Sequence, residues 1–434
     1  MKLALHSRST GNISAPVLTV FLTLFATTTL LSGCGGGGGG VETKTGAGGT
    51  GDPTPPADAL TASGPLSTIG VAGIAATGLD DRASAVFINT GTQPFTALKL
   101  GMVAEVAGTI PTTATSTTAG TATNINAQSG VVGPANALDL VRQKFAVGSL
   151  RVHVDQNTIF EGISALSDLG QQGRDRVEVY GLQMPLNMIG DGGLPAILAT
   201  RLISQPPVAP PSPPTAATST AELLGVATIV SAFNFNLQGM AVFTSGVTNV
   251  TTPTGTLPGT ASIVENTRVR VVGNLFPPAG FAVPRYSIGA SQIVAGIPIV
   301  RNDNTIIVLD GIVQSINASG RFRLNDTDVD TTAANAATIT VGSRVQVKGR
   351  KTAGVLTATD FRRIAAGERI LFVVQGDIAN FVSTANFTVR GESISASTAT
   401  FIGGTAANLV NGRTVRVKAQ AIGGHLEAIE VSLL

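Results

Sequence analysis

The chain is poor in charge and in large aromatic rings. Charged residues make up 12% of its 434 residues, whereas a soluble chain usually carries about 25%. Tryptophan is absent and only two tyrosines occur, so stacking platforms for single-stranded nucleic acid are scarce. Residues 1–33 contain Lys2 and Arg8 but no acid, which leaves 26 basic and 26 acidic residues in the remainder. This neutral balance argues against nucleic acid or an anionic lipid surface as an electrostatic partner.

Cysteine is almost missing too, because Cys34 is the single copy and no internal disulfide can form. The segment before it has the order of a secretory signal, with a positive start, an apolar run over 17–25 and the small residues Ser32 and Gly33. That run is short for a spanning helix, which needs about 20 apolar residues. We therefore assign 1–33 as a signal peptide.

The end of this segment, Leu31-Ser32-Gly33-Cys34, resembles the lipobox of bacterial lipoproteins. The resemblance implies cleavage between Gly33 and Cys34 and attachment of lipid to the Cys34 thiol. Each buried acyl CH₂ group adds ~0.8 kcal/mol to membrane binding, so two or three chains anchor stably. An ordinary signal peptide with a chance cysteine is the alternative. Gly35, rather than Asp, follows the cysteine, and by the same resemblance this favours the outer membrane, facing either the periplasm or the outside.

Two segments are too rich in glycine or proline to fold by themselves. Residues 34–62 begin with six consecutive glycines after Cys34 and continue in Gly, Thr, Pro and Ala, which predicts a flexible tether. Residues 205–220 are rich in proline and predict an extended spacer. They divide the remaining chain into two portions.

The remaining chain alternates apolar and polar residues over short stretches, the pattern of β-strands. Four landmarks recur in the same order and predict five units: 66–130, 131–204, 222–296, 307–365 and 370–434. Each unit has an opening strand near a glycine: Gly73, Gly133, Gly225, Gly311 and Gly376. Each has a second strand beginning with phenylalanine: Phe87, Phe145, Phe235, Phe322 and Phe387.

The last two landmarks are a Val-x-Val strand and a closing strand. The Val-x-Val copies lie at 101–108, 173–181, 266–273, 342–349 and 412–419. The closing strands begin at an alanine, in four units followed by Thr or Ser: Ala122, Ala199, Ala290, Ala358 and Ala428. In this order the landmarks resemble domain of unknown function 5666, which occurs as tandem repeats in bacterial lipoproteins. The resemblance is best in the fourth unit, good in the second and fifth, and weak in the first and third. It implies architecture and no activity.

Units of this size cannot leave strand edges open safely, so we expect an all-β chain of tandem small closed β-barrels, OB-like or SH3-like. Alternation predicts the core of the fourth unit as Ile312, Ile316, Phe322, Leu324, Val329, Val345, Val347, Leu356 and Phe361. Domains this small are marginally stable, and these have no disulfides. Packing between neighbouring units is therefore expected to matter.

Few residues suggest a catalytic or metal-binding site. His153 lies on a strand and His425 follows two glycines in a turn, and both fit exposed positions. Asp326, Asp328 and Asp330 resemble the start of a calcium loop, but Thr331 stands where that loop needs glycine. We predict no metal and no cofactor.

Two further functions stay open beside a non-catalytic envelope protein that binds or scaffolds an unknown partner or polymer. A hydrolase of envelope polymer would use the carboxylates Asp155 and Glu161 as acid and base. Oligosaccharide or polyanion binding would use outward basic residues stacked into a basic stripe. These residues are Arg268, Arg270, Arg344, Lys348, Arg416 and Lys418. We expect no enzyme activity and no nucleic acid partner.

Overall fold

The computed structural model describes residues 57–70, 79–80, 85–89, 91–111, 120–170, 176–186, 192–205, 220–231, 233–244, 249–252, 255–258, 263–265, 267–276, 286–295, 303–331 and 338–434. The predicted signal peptide, Cys34, most of the predicted tether and most of the proline-rich spacer lie outside these ranges. The described residues belong to one compact unit of the chain, Pro55–Leu434.

Strands account for nearly all regular structure in this part of the chain. The first unit contains β1 Ala57–Pro65, β2 Thr68–Ile69, β3 Leu79–Asp80, β4 Ala85–Ile88, β5 Gly91–Gln93, β6 Val103–Pro111 and β7 Gly120–Ala127. The second contains β8 Val131–Asp139, β9 Lys144–Val147, β10 Leu150–His153, β11 Ile159–Glu161, β12 Arg176–Gln183 and β13 Ala196–Gln205. The third contains β14 Thr220–Val226, β15 Asn234–Leu237, β16 Met240–Thr244, β17 Asn249–Thr252, β18 Gly255–Pro258, β19 Arg268–Phe276 and β20 Ser287–Ala295.

The last two units repeat the pattern. The fourth contains β21 Ile306–Ile316, β22 Phe322–Leu324, β23 Thr327–Asp330, β24 Arg344–Thr352 and β25 Val355–Ile364. The fifth contains β26 Phe372–Ser383, β27 Asn386–Val389, β28 Glu392–Ser395, β29 Thr400–Ile402, β30 Thr414–Ile422 and β31 His425–Leu433. Single-turn 3₁₀ helices precede the Val-x-Val strand in three units, at Phe95–Ala97, Leu166–Asp168 and Ala406–Asn408.

Five strands close into a barrel in the second, fourth and fifth units. In the second, the opening strand β8 pairs with β9 and β12, β9 pairs with β10, and β12 pairs with the closing strand β13, all antiparallel. The third strand β10 then pairs with β13 in parallel and completes the circle. The fourth and fifth units have the same pairings. This order, with a parallel pair between third and closing strands, is that of an OB-type barrel.

The barrel of the third unit is closed more loosely. Its opening strand β14 pairs with β19, and β15, β16, β20 and β19 follow in the same order as elsewhere. Between β14 and β15 the closure is a bridge in which Thr228 and Asn236 exchange backbone hydrogen bonds of 2.9 and 2.7 Å.

The first unit keeps only part of this pattern. Its Val-x-Val strand β6 pairs with β1 and with the closing strand β7. The predicted second strand at Phe87 is wrong, because β4 lies parallel to the far end of β7, where β11 lies on β13 in the second unit. Gly73 lies outside the described residues, and the opening strand predicted near it is wrong, because β1 takes that place: Gly64 faces Ala104 of β6 as Gly311 faces Val345 of β24. The tether boundary at 62 is also wrong, because β1 begins at Ala57.

A β-bulge explains two of the four sequence landmarks. In every unit the pairing of the Val-x-Val and closing strands shifts by one residue, at 107/108, 180/181, 272/273, 348/349 and 418/419. Just after each shift a glycine, or Ala419 in the fifth unit, faces the alanine that begins the closing landmark. A Cβ atom on Gly349 would lie 2.0 Å from the Thr357 carbonyl oxygen, so glycine is needed there.

The closing-strand residue that this bulge leaves unpaired is Thr or Ser in four units. In three units its hydroxyl donates to the carbonyl of the residue that precedes the shift: Thr123 to Ala107, Ser291 to Val272 and Thr359 to Lys348, each at 3.1 Å. The Thr200 hydroxyl lies 3.1 Å from the corresponding Tyr180 carbonyl, but its closer partner is the Gly101 carbonyl of the first unit, at 2.6 Å. The hydroxyl replaces a ladder bond that the bulge removes, which contributes about 1 kcal/mol. The Gly and Ala-Thr landmarks are therefore structural.

Glycine is required in the opening strand for a different reason. Second and third strands join through two-residue turns whose first residue is left-handed: Gly148, Gln238, Asn325 and Arg390. Side chains at or next to these turns lie over the opening-strand glycine. A Cβ atom at Gly311 would lie 2.7 Å from Asn325 Oδ1, and one at Gly376 would lie 2.7 Å from Arg390 Cγ. The landmark glycine makes room for the hairpin.

Neighbouring units join through the free edge of the opening strands. β8 and β14 pair antiparallel and link the second and third units, and β1 and β21 pair in parallel and link the first and fourth. β2 pairs in parallel with β26 of the fifth unit. Each opening strand therefore has a neighbour on an edge that would otherwise template aggregation.

Cores lie inside the barrels, as the alternation predicts. In the fourth unit Phe322, Leu324, Val329, Val345, Val347 and Leu356 are buried in one cluster, and Phe361 packs against it. The opening strand has the opposite phase to our prediction, because Ile307, Leu309 and Val313 point inward instead. Ile316 is 38% exposed, and Ile312 packs against Leu182 and Met184 of the second unit.

Candidate functional site

The predicted acid Glu161 lies at a junction of three units, next to a buried arginine. Arg201 of β13 is 2% exposed, and its Nε and Nη2 donate to Glu161 Oε2. Its Nη1 donates to Glu392 Oε2 of the fifth unit at 3.0 Å and to the Leu100 carbonyl of the first unit at 2.8 Å. Lys99 Nζ also donates to Glu161. We call Lys99, Glu161, Arg201 and Glu392 the ion-pair junction.

The electrostatics of this junction make Glu161 unsuited to donate a proton. Burial opposes ionisation of Glu161, but the guanidinium of Arg201 and the ammonium of Lys99 outweigh it and hold the pKa of this carboxyl below its usual value. A general acid needs a raised pKa near neutral pH. Glu392, buried at 2% exposure, completes the charge balance and accepts the Leu100 N–H at 2.6 Å.

The second predicted carboxylate, Asp155, is engaged in a local turn. Its Oδ1 accepts the backbone N–H of Asn157 at 2.9 Å, and its own backbone N–H donates to the Thr158 hydroxyl oxygen at 3.1 Å. Asn157 in turn bonds the segment between the fourth and fifth units, with Nδ2 donating to the Glu368 carbonyl at 2.9 Å and Oδ1 accepting the Ile370 N–H at 2.8 Å. Asp155 therefore helps to hold a contact between units.

His153 and His425 lie on different strands. His153 ends β10 and is half-buried, whereas His425 begins β31 and is exposed, with Nε2 3.1 Å from the Ser164 carbonyl. Among the described residues no group of three or more His, Cys, Asp or Glu side chains could hold a metal ion. Asp328 and Asp330 instead pair with Arg323 and Arg321, at 3.6 and 3.3 Å.

Four of the six basic residues predicted to form a stripe are in ion pairs with acidic side chains, and Arg416 instead donates to Gln375 Oε1 at 3.1 Å. Arg268 binds Glu105 of the first unit at 2.8 Å, Arg344 binds Asp310 at 2.9 Å, and Lys418 binds Glu430 at 2.9 Å. Arg270 is 3% exposed and pairs with Glu222, while its Nη1 donates to Asn89 Oδ1 of the first unit at 3.0 Å. Neutralised cations of this kind give little attraction for a polyanion.

Sequence reasoning missed Arg201 and Glu392, which are the buried charged pair that joins units. Arg201 occupies the variable position of the closing landmark, where the other units have Asn124, Gln292, Asp360 and Glu430. That position faces outward from a barrel, so alternation predicts exposure. Burial comes from the neighbouring units, which alternation within one unit does not reveal.

Among the described residues no helix is long and apolar enough to cross a membrane. Comparison with protein families gives a match to the model described as "Domain of unknown function (DUF5666)" at residues 130–187, 310–360 and 375–432. These are the second, fourth and fifth units, the three with the clearest landmarks and with fully paired barrels. No curated protein and no solved structure matches the chain.

Proposed function

We propose that this chain, which carries three tandem copies of the DUF5666 domain, is a non-catalytic lipoprotein of the bacterial cell envelope. Lipid on Cys34 would hold it at the outer membrane, and residues 34–56 would separate the anchor from the barrels. The packed barrels would then act as a rigid surface that binds or scaffolds an envelope component.

The non-catalytic part of this proposal is supported by the charged side chains, which are engaged in ion pairs within and between the barrels. Glu161, the carboxylate that sequence offered as an acid, is bound by Lys99 and Arg201 and has a lowered pKa. The glycine and Ala-Thr landmark residues of the repeat form the bulge or make room for the hairpin turns. Both kinds of residue support a stable assembly of barrels.

The anchor is tested by labelling cells that express the full-length chain with radioactive palmitate. The wild-type protein should take up the label and fractionate with the outer membrane, because the Cys34 thiol receives the lipid. Cys34→Ala should take up none and should accumulate at the precursor mass. Protease added to intact cells then distinguishes a surface position from a periplasmic one.

The matched control is Gly33→Ala, which keeps a small residue before the cysteine and should be labelled like the wild type. Equal labelling of the wild type and Cys34→Ala, or no labelling of either, would contradict the proposed anchor.

A further inference from the structure

The outer surface of the third barrel carries two exposed phenylalanine rings. Phe243 of β16 is 49% exposed and Phe276 of β19 is 42% exposed. Both strands pair with β20, where Phe243 faces Gly289 and Phe276 faces Ser287. The Phe276 ring lies against Gly289, because a Cβ atom added there would be 2.6 Å from Cε2. Neighbouring strands are ~4.8 Å apart, so the two rings lie close together.

The residues around these rings carry no charge. Two rows of side chains cross β15, β16, β20 and β19 on the outside of the barrel: Asn236, Ala241, Ser287 and Phe276 in one row, and Asn234, Phe243, Gly289 and Asn274 in the other. We call these eight residues the aromatic face. Carboxamides, one hydroxyl group and small residues surround the rings, and none of them can ionise at neutral pH.

The same two rows are charged in the other barrels with this pairing. Strand register places the following charged residues in them: Arg323, Asp328, Asp330 and Arg350 in the fourth unit, Lys144 and Arg151 in the second, and Glu427 in the fifth. Of the phenylalanines whose side chains the structure describes, Phe233, Phe243 and Phe276 alone are exposed, and all three belong to the third unit. The third barrel therefore differs from the others in its surface although it shares their fold.

We propose that the aromatic face contacts the surface of the lipid bilayer, an inference that rests on the proposed lipid anchor at Cys34. Exposed aromatic rings beside uncharged polar groups fit the boundary between headgroups and acyl chains. A charged side chain would lose hydration there, and the aromatic face has none. Such a contact is apolar, so it agrees with the neutral charge balance of the chain, which disfavours electrostatic attraction to lipid.

The length of the tether favours a membrane over a separate protein as the partner. Residues 35–56 connect Cys34 to β1. A flexible glycine-rich chain of this length has a root-mean-square end-to-end distance of about 25 Å, which would keep the barrels near the bilayer. Because the effective concentration of lipid is then high, a contact that is too weak to hold a free protein can form.

Introduced tryptophan tests the contact, because the chain has no tryptophan of its own. Full-length lipidated Phe243→Trp and Phe276→Trp are placed in vesicles of phosphatidylethanolamine and phosphatidylglycerol, with or without lipid brominated near the top of its acyl chains. Bromine should quench about half or more of the fluorescence of each variant, because interfacial side chains lie about 5–10 Å deep. The quenching should not change with salt, since screening acts on charges.

The matched control is Ile422→Trp. Ile422 of β30 occupies the position of Phe276 in the fifth barrel and is 48% exposed, and its tryptophan should not be quenched. In the Phe243→Trp protein, the additional substitution Phe276→Ser should reduce the quenching, because it removes half of the aromatic contact. Val382→Ser removes an exposed apolar side chain from the fifth unit instead and should leave the quenching unchanged.

No quenching of Phe243→Trp and Phe276→Trp, or equal quenching of Ile422→Trp, would overturn the inference. A blue shift that grows with the number of copies per vesicle, without quenching by bromine, would assign the face to a second copy of the chain and would overturn it too. Palmitate labelling of the same samples separates the two proposals. Labelled protein without quenching removes the contact of the aromatic face and leaves the anchor, whereas unlabelled protein contradicts the anchor itself.

Discussion

At the scale of single residues, the structure depends on charged side chains that are not where their strands alone would place them. Arg201 has an outward position on its own barrel and is nevertheless 2% exposed, because the fifth and first units cover it. Burying one ion without its partners would cost several kcal/mol. The junction therefore needs Glu161 and Glu392 together.

The lowered pKa of Glu161 predicts a dependence of stability on pH. A carboxyl whose folded pKa is depressed stabilises the protein above its unfolded pKa of roughly 4.3, and this contribution is lost as pH falls through the lower, folded pKa. Glu161→Gln should be less stable than the wild type at pH 7. The difference in melting temperature should shrink towards pH 3, as the wild-type carboxyl takes up a proton.

Glu265→Gln, which changes an exposed carboxylate of the third unit, is the matched control and should melt with the wild type at both pH values. A difference between Glu161→Gln and the wild type that is as large at pH 3 as at pH 7 would rule out this account.

At the scale of elements, the repeat is built around one bulge and one hairpin per barrel. Gly349 sits opposite Ala358 at the bulge of the fourth unit, where a Cβ atom would lie 2.0 Å from a backbone oxygen. Because backbone cannot rotate away as a side chain does, Gly349→Ala should destabilise the protein by about 1–3 kcal/mol, measured by urea unfolding.

The control for this substitution is Gly130→Ala, where the nearest atom to an added Cβ is 3.6 Å away. It should change the free energy of unfolding by less than ~0.5 kcal/mol. Equal effects of the two substitutions would mean that the bulge does not require glycine.

Most of the elements follow from sequence because their residues act locally. The Val-x-Val and closing strands lie where alternation places them, since one face must be dry, and Val345 and Val347 are 0% and 2% exposed. Alternation fails at the opening strand of the fourth unit, because its pairing shifts between Val313 and Ser315 and a bulge changes the phase. It also fails at Phe87, because the first unit departs from the repeat.

The candidate sites were less predictable than the strands. Asp155 and Glu161 could be found in the sequence, but their neighbours Asn157 and Arg201 bond Glu368 and Glu392, which lie 211 and 191 residues further along the chain. Contacts between barrels are set by tertiary packing, and a pattern within one barrel does not determine them.

At the scale of the whole molecule, the barrels should unfold together. Glu392 of the fifth unit binds Arg201 of the second and the Leu100 N–H of the first. Removing one partner of a buried ion pair costs about 3 kcal/mol or more. Glu392→Gln should therefore lower the melting temperature and speed hydrogen exchange at Leu100 and around Arg201, as well as in the fifth unit, as measured by mass spectrometry.

Glu265→Gln again provides the comparison and should leave exchange unchanged. Faster exchange confined to the fifth unit would show that the ion-pair junction does not couple the barrels.

The pairing of opening strands has a consequence for how many barrels such a chain can hold. Two units can cover the edges of each other's opening strands by pairing them, as β8 pairs with β14 and β1 with β21. In a chain with an odd number of units, one opening strand has no such partner. Here the two residues of β2 take the place of a missing sixth barrel beside β26. Duplication in pairs would need no such substitute, whereas gaining or losing a single barrel would require a new edge cover at the same time.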